Sequence, residues 1–305
     1  MIKRRDFIKN TSLGTIAISA GGDISSILSK KKPHILSLQL YSVRDAMGKD
    51  PKGTIKALSK IGYKDCEHAS YNNAKRQFYG YAPADWKMVL KDNGMTMKSG
   101  HTVFGKDHYN MSTKEVTDLW KTTVEDAVKV GQEYIISPSL DINLRKKLDD
   151  LKKFLEGFNA AGAYCKSQGI KYGYHNHDFE FNSLLEGELV MDIIMKNTDP
   201  DLVAQQIDIG NMYNGGGKAM DFLKKYPTRY ELMHVKDEIK SANNANERYE
   251  SAILGTGIIG VKDIIKYARK HNNTFYLIIE QESYQGMDPV DSMKKDFDIM
   301  KAWGY

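Results

Sequence analysis

Cysteine is scarce: Cys66 and Cys165 are the only two in 305 residues. Two cysteines cannot supply the disulfide framework of a small secreted scaffold. Cys66 falls in a predicted strand and Cys165 in a predicted helix, where each reads as a small buried hydrophobe. A body charge of one sign is also missing. The formal net charge of +5 comes from the first 32 residues, where Lys3, Arg4, Arg5, Lys9, Lys30, Lys31 and Lys32 stand against Asp6 and Asp23. Removing these from 44 basic and 39 acidic residues leaves 37 of each. A neutral body gives no global electrostatic case for nucleic acid as a partner. Low-complexity tracts are lacking, as is any linker that would divide residues 33–305 into separate domains.

The segment 1–32 reads as an address. Lys3-Arg4-Arg5-Asp6-Phe7-Ile8-Lys9 resembles a twin-arginine export signal, and a mildly apolar run follows at 13–22. That run is too short and too rich in Gly, Ser and Thr to span a bilayer. No lipid-accepting Cys and no clean cleavage site accompany it. A periplasmic protein, with the segment cleaved or retained as a membrane tether, is the expectation.

After Pro33 the hydrophobic period alternates between two and 3.6. Strands are predicted at 35–41, 63–69, 95–102, 133–137, 171–177, 203–210, 230–236 and 274–281. Helices are predicted at 51–61, 83–93, 113–130, 144–168, 187–196, 219–226, 261–271 and 289–303. Ile55, Leu58 and Ile61 mark the apolar stripe of the first helix, and Gly62 stops it. Ser112 and Thr113 with Glu115 close behind read as a capping signal for the helix at 113–130. Alternation alone fits a doubly wound open sheet as well. Eight repeats in about 270 residues favour an α/β protein with one domain over 33–305, a (β/α)8 TIM barrel. Irregular stretches at 71–81 and 237–257 fall on the C-terminal face, where barrels build their sites. Asn243 to Asn246 is polar enough for a mobile flap.

Four strand ends carry ionisable groups on one face. In Tyr-His-Asn-His at 174–177, His175 and His177 leave the strand on the same side, with Asp178 and Glu180 close behind. On the sixth strand Asp208 shares a face with Gln206 and Gly210. On the seventh, His234 and Lys236 align with Leu232. On the eighth, Glu280 and Glu282 align with Ile278, while Leu277 and Ile279 turn to the helices. An ionised carboxylate in a barrel mouth is costly unless paired or coordinated. Mixed imidazole and carboxylate donors suit one divalent Mn, Co, Zn or Fe ion better than Ca²⁺. Glu67 or His68 and His101 end near the same mouth and are candidate polar contacts for a substrate, and Tyr41 and Trp86 candidate stacking faces. Gly255 to Gly260 matches a dinucleotide fingerprint in letters, but follows no strand and reads as a turn. Gly215-Gly216-Gly217 reads as a turn before the next helix, with a phosphate cradle as the alternative.

These pieces together resemble the xylose-isomerase-like barrel superfamily, the sugar phosphate isomerase/epimerase group. The resemblance rests on Tyr-His-Asn-His (174–177), Asp-x-Gly (208–210), His-Val-Lys-Asp (234–237), Gly-Thr-Gly (255–257) and Ile-Glu-Gln-Glu (279–282). It implies a metal held by His175, Asp208, His234 and Glu280, with His177 as an alternative ligand. Two departures stand out, because sugar epimerases of the group usually have Glu where His175 stands and often His where Asn211 stands. The implied activity is isomerisation or epimerisation of a small sugar next to a carbonyl, through an enediolate. Glu280 and Glu282 are the candidate bases, with His177 or Glu180 opposite and Lys236 polarising the carbonyl. Glu67, His68, His101, Asn211 and Asp237 are the candidate substrate contacts. The runner-up is a lyase or hydratase acting on a keto-sugar glycoside, which needs one base only. A nuclease of the same barrel is disfavoured by the neutral body, and a non-catalytic carbohydrate-binding barrel is the third class.

Overall fold

The computed structural model describes residues 33–242 and 248–305. The twin-arginine segment and the polar stretch 243–246 lie outside the described residues. Eight strands are built from the period-two runs: β1 (Ile35–Gln39), β2 (Asp65–His68), β3 (Thr96–His101), β4 (Tyr134–Ser137), β5 (Lys171–His175), β6 (Val203–Asp208), β7 (Tyr230–Val235) and β8 (Tyr276–Ile279). All pair in parallel with their sequence neighbours, and β1 pairs with β8, Ile35 opposite Tyr276 and Leu38 opposite Ile279. The sheet therefore closes on itself, and the protein is a (β/α)8 TIM barrel as its periodicity predicts.

The outer ring is α1 (Pro51–Ile61), α2 (Pro83–Asp92), α3 (Asp118–Val130), α4 (Leu148–Ser167), α5 (Val190–Asn197), α6 (Ala219–Lys225), α7 (Val261–His271) and α8 (Pro289–Ala302). Local chemistry sets several ends. Asp50 accepts from Gly53 N ahead of α1, and Asp288 accepts from Val290 N and Asp291 N ahead of α8; each is followed by Pro at the first helical position. Gly62 closes α1 at a φ of 128°, which an L residue rarely adopts. α3 starts five residues later than the Ser112/Thr113 signal predicts. Asn110 accepts from Ser112 N and Thr113 N instead, and Tyr109–Asn110 pairs with Glu115–Val116 as a small hairpin. An Asn side chain that mimics a turn has outcompeted the helix cap.

Strand alternation divides the core. Met233, Val235, Leu277 and Ile279 pack outward among Ile55, Leu58, Ile265 and Met293 of the helices. Tyr134, Ile136, Ala204, Leu232, Tyr276 and Ile278 fill the barrel interior. Each fully buried Leu or Ile contributes roughly 1.5–3 kcal/mol, so sheet and helices are held by side chains set two apart. Cys66 and Cys165 are free and buried, in β2 and α4. No helix among the described residues is long and apolar enough to cross a membrane. Both irregular stretches fold back as hairpins on the C-terminal face, Tyr71–Asn72 with Gln77–Phe78 and Asp237–Lys240 with Tyr249–Ala252.

Candidate active site

A cavity of about 1250 Å³ opens at the C-terminal ends of the strands, with His175, His177, Lys236, Glu280 and Glu282 in its wall. The strands β5 to β8 stop one or two residues short of their predicted ends, so His175, Asp208 and His234 are on strands while His177, Lys236, Glu280 and Glu282 lie just beyond. β6 ends at Asp208, which caps the short helix Ile209–Asn214 by accepting from Asn211 N at 2.8 Å. Glu280 follows the last residue of β8 and is tied to β7 by its own N–H on Val235 O.

His234, Asp208 and Glu280 bring ligand-type atoms within 4.8 Å of one another. His234 Nδ1 lies 2.9 Å from Glu280 Oε2 and 3.8 Å from Asp208 Oδ2, and His175 Nε2 is also 3.8 Å from that oxygen. Lys236 Nζ stands among the carboxylates, 3.1 Å from Asp208 Oδ2, 2.8 Å from Glu280 Oε2 and 2.6 Å from Glu282 Oε1. Burial opposes the charge on Lys236, but Asp208, Glu280 and Glu282 outweigh it and hold the ammonium well above its ordinary value. Burial likewise raises the Glu280 carboxyl, and Lys236 and His234 reverse this to well below the carboxylate range. His175 is held well below the ordinary imidazole value by burial and by His234 and His101. His177 falls to about 4 through burial and Lys236. Both therefore present neutral imidazoles at neutral pH.

Beneath this layer Glu67 is fully buried and faces inward from β2. It accepts from Gln39 Nε2 (2.7 Å), Ser99 Oγ (2.5 Å) and Gln206 Nε2 (2.7 Å), and lies 2.6 Å from His234 Nε2 and 3.1 Å from His101 Nε2. Burial would raise its carboxyl, but His101 and His234 hold it well below the ordinary range. Gln206 Oε1 meets His101 Nε2 at 2.8 Å and His175 Nδ1 at 2.9 Å, so one amide aligns two imidazoles. Gln206 and Gln39 have network roles that sequence reading did not assign. Gln206 carries the one available signal, an amide two residues before Asp208 on the inward face.

Other predicted residues sit differently. Glu180 is buried away from the cavity wall, accepting from Tyr174 Oη (2.5 Å) and His177 N (2.9 Å), and burial pushes its carboxyl up to about 8. His68 faces the helix side against the Phe78 ring, and burial lowers it to about 3. Asp237 accepts from Gly255 N (2.8 Å), Gly257 N (3.1 Å) and Ile259 N (3.3 Å), so it clamps the loop before α7. Those amides are thereby taken, and the Gly255–Gly260 letters form a turn. Gly215, Gly216 and Gly217 donate to Asn211, Tyr213 and Met212 carbonyls, again as a turn. Asn211 lines the cavity and accepts from Lys236 Nζ at 3.4 Å. Tyr41 is exposed in the wall, whereas Trp86 is buried against Tyr79 and Tyr81 and offers no stacking face. Arg145 joins the wall unpredicted: it lies in a 3-10 turn (Ile142–Arg145), donates to Leu140 O and stacks over the Phe179 ring at 3.3 Å.

The residues present fit a divalent ion. Asp208 Oδ2 is fully buried, meets no hydrogen-bond donor in good geometry and has the Lys236 ammonium 3.1 Å away, so it is an anion held where only a cation can balance it. His234 Nδ1, His175 Nε2 and the Glu280 carboxylate surround the same place, a donor set of borderline character.

The comparisons with known proteins agree with this architecture. The family profile described as "Xylose isomerase-like TIM barrel" matches residues 55–303. Over 145 residues the chain is 30% identical to an inosose dehydratase of Clostridium perfringens, covering 44% of this chain and 48% of that protein. An inosose dehydratase of Salmonella typhimurium is 27% identical over 158 residues, 47% of this chain and 52% of its own. The chain thus spans about half the length of the curated relatives it matches. A crystal structure of a sugar phosphate isomerase/epimerase from Parabacteroides distasonis superposes with a TM-score of 0.75 at 25% identity, over 92% of this chain and 97% of that one. With the closed barrel and a match over most of its length, the chain belongs to the xylose isomerase-like TIM barrel family.

Proposed function

We propose that this chain is a divalent-metal-dependent carbohydrate enzyme that removes a proton next to a carbonyl and completes the reaction as a lyase on a keto-sugar glycoside. The observation that supports elimination is that β5 presents an imidazole, His175, to the inner layer of the site, while Asp178, the wall carboxylate on that side, stands exposed at the rim. Glu280 and Glu282 face the cavity from the β8 side, whereas Glu180 on the β5 side is turned away under Tyr174 and His177 N. Epimerisation by two opposed bases needs matched proton carriers on both faces; elimination needs one base. The cavity also exceeds the 300–1,000 Å³ of ordinary ligand pockets, which suits a substrate larger than one sugar ring.

His175, Asp208, His234 and Glu280 are the residues that would hold the ion. When bound, it supplies Lewis acidity toward the substrate carbonyl and lowers the barrier to losing the neighbouring proton. Glu282 takes that proton, the electron pair moves into the new double bond, and the carbon–oxygen bond to the substituent breaks. Lys236 steadies the carbonyl oxygen. His177, held neutral, hydrogen-bonds the departing oxygen, which takes its proton from solvent. The names of the inosose dehydratases support the lyase reading. Isomerisation is the second reading, supported by the name of the Parabacteroides structure. Export by the twin-arginine route, with the mature barrel in the periplasm or tethered to the membrane, is proposed on residues 1–32.

The test is incubation of Mn-loaded protein with a keto-glycoside in D₂O. Release of the alcohol with an unsaturated keto-sugar supports the lyase. Deuterium next to the carbonyl without release supports isomerisation, and a rearranged product free of deuterium points to hydride shift. No turnover of keto-glycoside or free keto-sugar would overturn the enzyme reading.

A further inference from the structure

Lys236 is a cationic wall residue whose charged end lies in the proposed metal position. Its Nζ lies within 3.1 Å of Asp208 Oδ2, Glu280 Oε2 and Glu282 Oε1, from three different carboxylates. Two of these oxygens belong to the proposed ligand set and the third does not. Carboxylate oxygens stand about 2.0–2.2 Å from a bound zinc-like ion. An ion that close to Asp208 Oδ2 and Glu280 Oε2 would share both oxygens with the ammonium 3.1 and 2.8 Å from them, and would stand within about 5 Å of it. Two cations that near each other divide the same two carboxylates and repel, the more strongly because the place is buried.

The backbone has been cleared for this lysine. A Cβ on Gly210 would stand 2.5 Å from Lys236 Cδ and 2.8 Å from Cγ. The Asp-x-Gly spacing at 208–210 therefore provides both a carboxylate for the ammonium and room for its aliphatic stem. Glu282, whose side chain is 42% exposed, offers a second anchor on the cavity side. Asn211 Oδ1 lies 3.4 Å from the same nitrogen.

We infer that the Lys236 ammonium is a resident counter-ion of the metal position, displaced toward Glu282 and the cavity when a divalent ion binds, so that metal loading and presentation of Lys236 to substrate are one event. The inference rests on the metal reading proposed above. It gives this site a lower metal affinity than its donor set alone would have, since each ion that enters must displace a charge already satisfied. It also keeps Asp208 and Glu280 neutralised during folding, before any ion is available.

Two measurements test it on the full-length protein. Calorimetric titration with Mn²⁺ should show Lys236→Met binding at least tenfold more tightly than wild type. Equal or weaker binding by the variant, with wild type binding stoichiometrically, overturns the competition and leaves the metal reading standing. Absence of binding in both overturns the metal reading and the competition with it. The second measurement needs no variant: reductive methylation of wild type, mapped by mass spectrometry. Lys236 should be unreactive in chelator-treated protein and labelled after Mn²⁺ is added. A Lys236 that stays unreactive while Mn²⁺ binds overturns the displacement.

Discussion

Glu67 Oε1 lies 2.6 Å from His234 Nε2, between residues 167 positions apart in the chain. The contact fixes which face of the imidazole is left for other partners. With Nε2 turned to Glu67, Nδ1 is aimed at Asp208 and Glu280. A carboxylate behind a ligating histidine is a common device for orienting the ring and raising its basicity.

Glu67→Gln should therefore weaken Mn²⁺ binding by 10–100-fold, the usual cost of removing such a partner. The fold should persist, because the amide still accepts from some of the five neighbours of Glu67. A calorimetric titration together with a circular dichroism spectrum checks both halves. Unchanged affinity would reduce Glu67 to a structural residue.

Glu280 and Glu282 should separate metal from chemistry. Asp208→Ala, His234→Ala and Glu280→Gln should each abolish stoichiometric Mn, Co or Zn binding as read by elemental analysis. Glu282→Gln should keep the metal and lose roughly 10²–10⁴ in rate, the range for general acid–base catalysis. Loss of metal from Glu282→Gln would place it among the ligands instead.

Asp296 gives a prediction about stability and pH. It is buried on α8, accepts from Leu254 N at 2.9 Å, and burial raises its carboxyl to about 7. A carboxyl raised in the folded state contributes stability that is complete below its ordinary 3.8 and is lost as pH rises through about 7. Asp296→Asn, which does not ionise, should gain on wild type between pH 5 and pH 8 by on the order of 2 kcal/mol. Urea unfolding at the two pH values measures this. A gap that does not widen with pH would exclude ionisation of Asp296 as the cause.

The export proposal is tested apart from the barrel. Replacing Arg4 and Arg5 together by Lys should leave the protein in the cytoplasmic fraction of a host with a twin-arginine translocase. Recovery of the double variant from the periplasm would refute the assignment.

The sequence by itself determined the barrel and the end of it that carries chemistry. Period-two runs eight times over, each followed by a period-3.6 run, leave few alternatives to a closed parallel sheet. Alternation also settled which of Leu277, Ile278 and Ile279 turn inward, because a strand has only two faces. Tertiary structure decided everything beyond the strand ends, where that two-fold choice lapses. Glu180 and Asp237 are acidic residues beside the predicted ligands, yet one is buried under Tyr174 and His177 and the other holds the loop before α7. His68 and Glu67 are adjacent and so take opposite faces, and which of the two is inward is shown by the bonds of Glu67 to Gln39, Gln206 and His234. The partnership of Glu67 with Gln206 and His234 joins strands far apart in sequence, and only closure of the barrel brings them within hydrogen-bond reach. Placement of Lys236 among three carboxylates has the same origin. Its charge was legible in the chain, whereas its position depends on the room left by Gly210 and on carboxylates delivered by β6 and by the segment that follows β8.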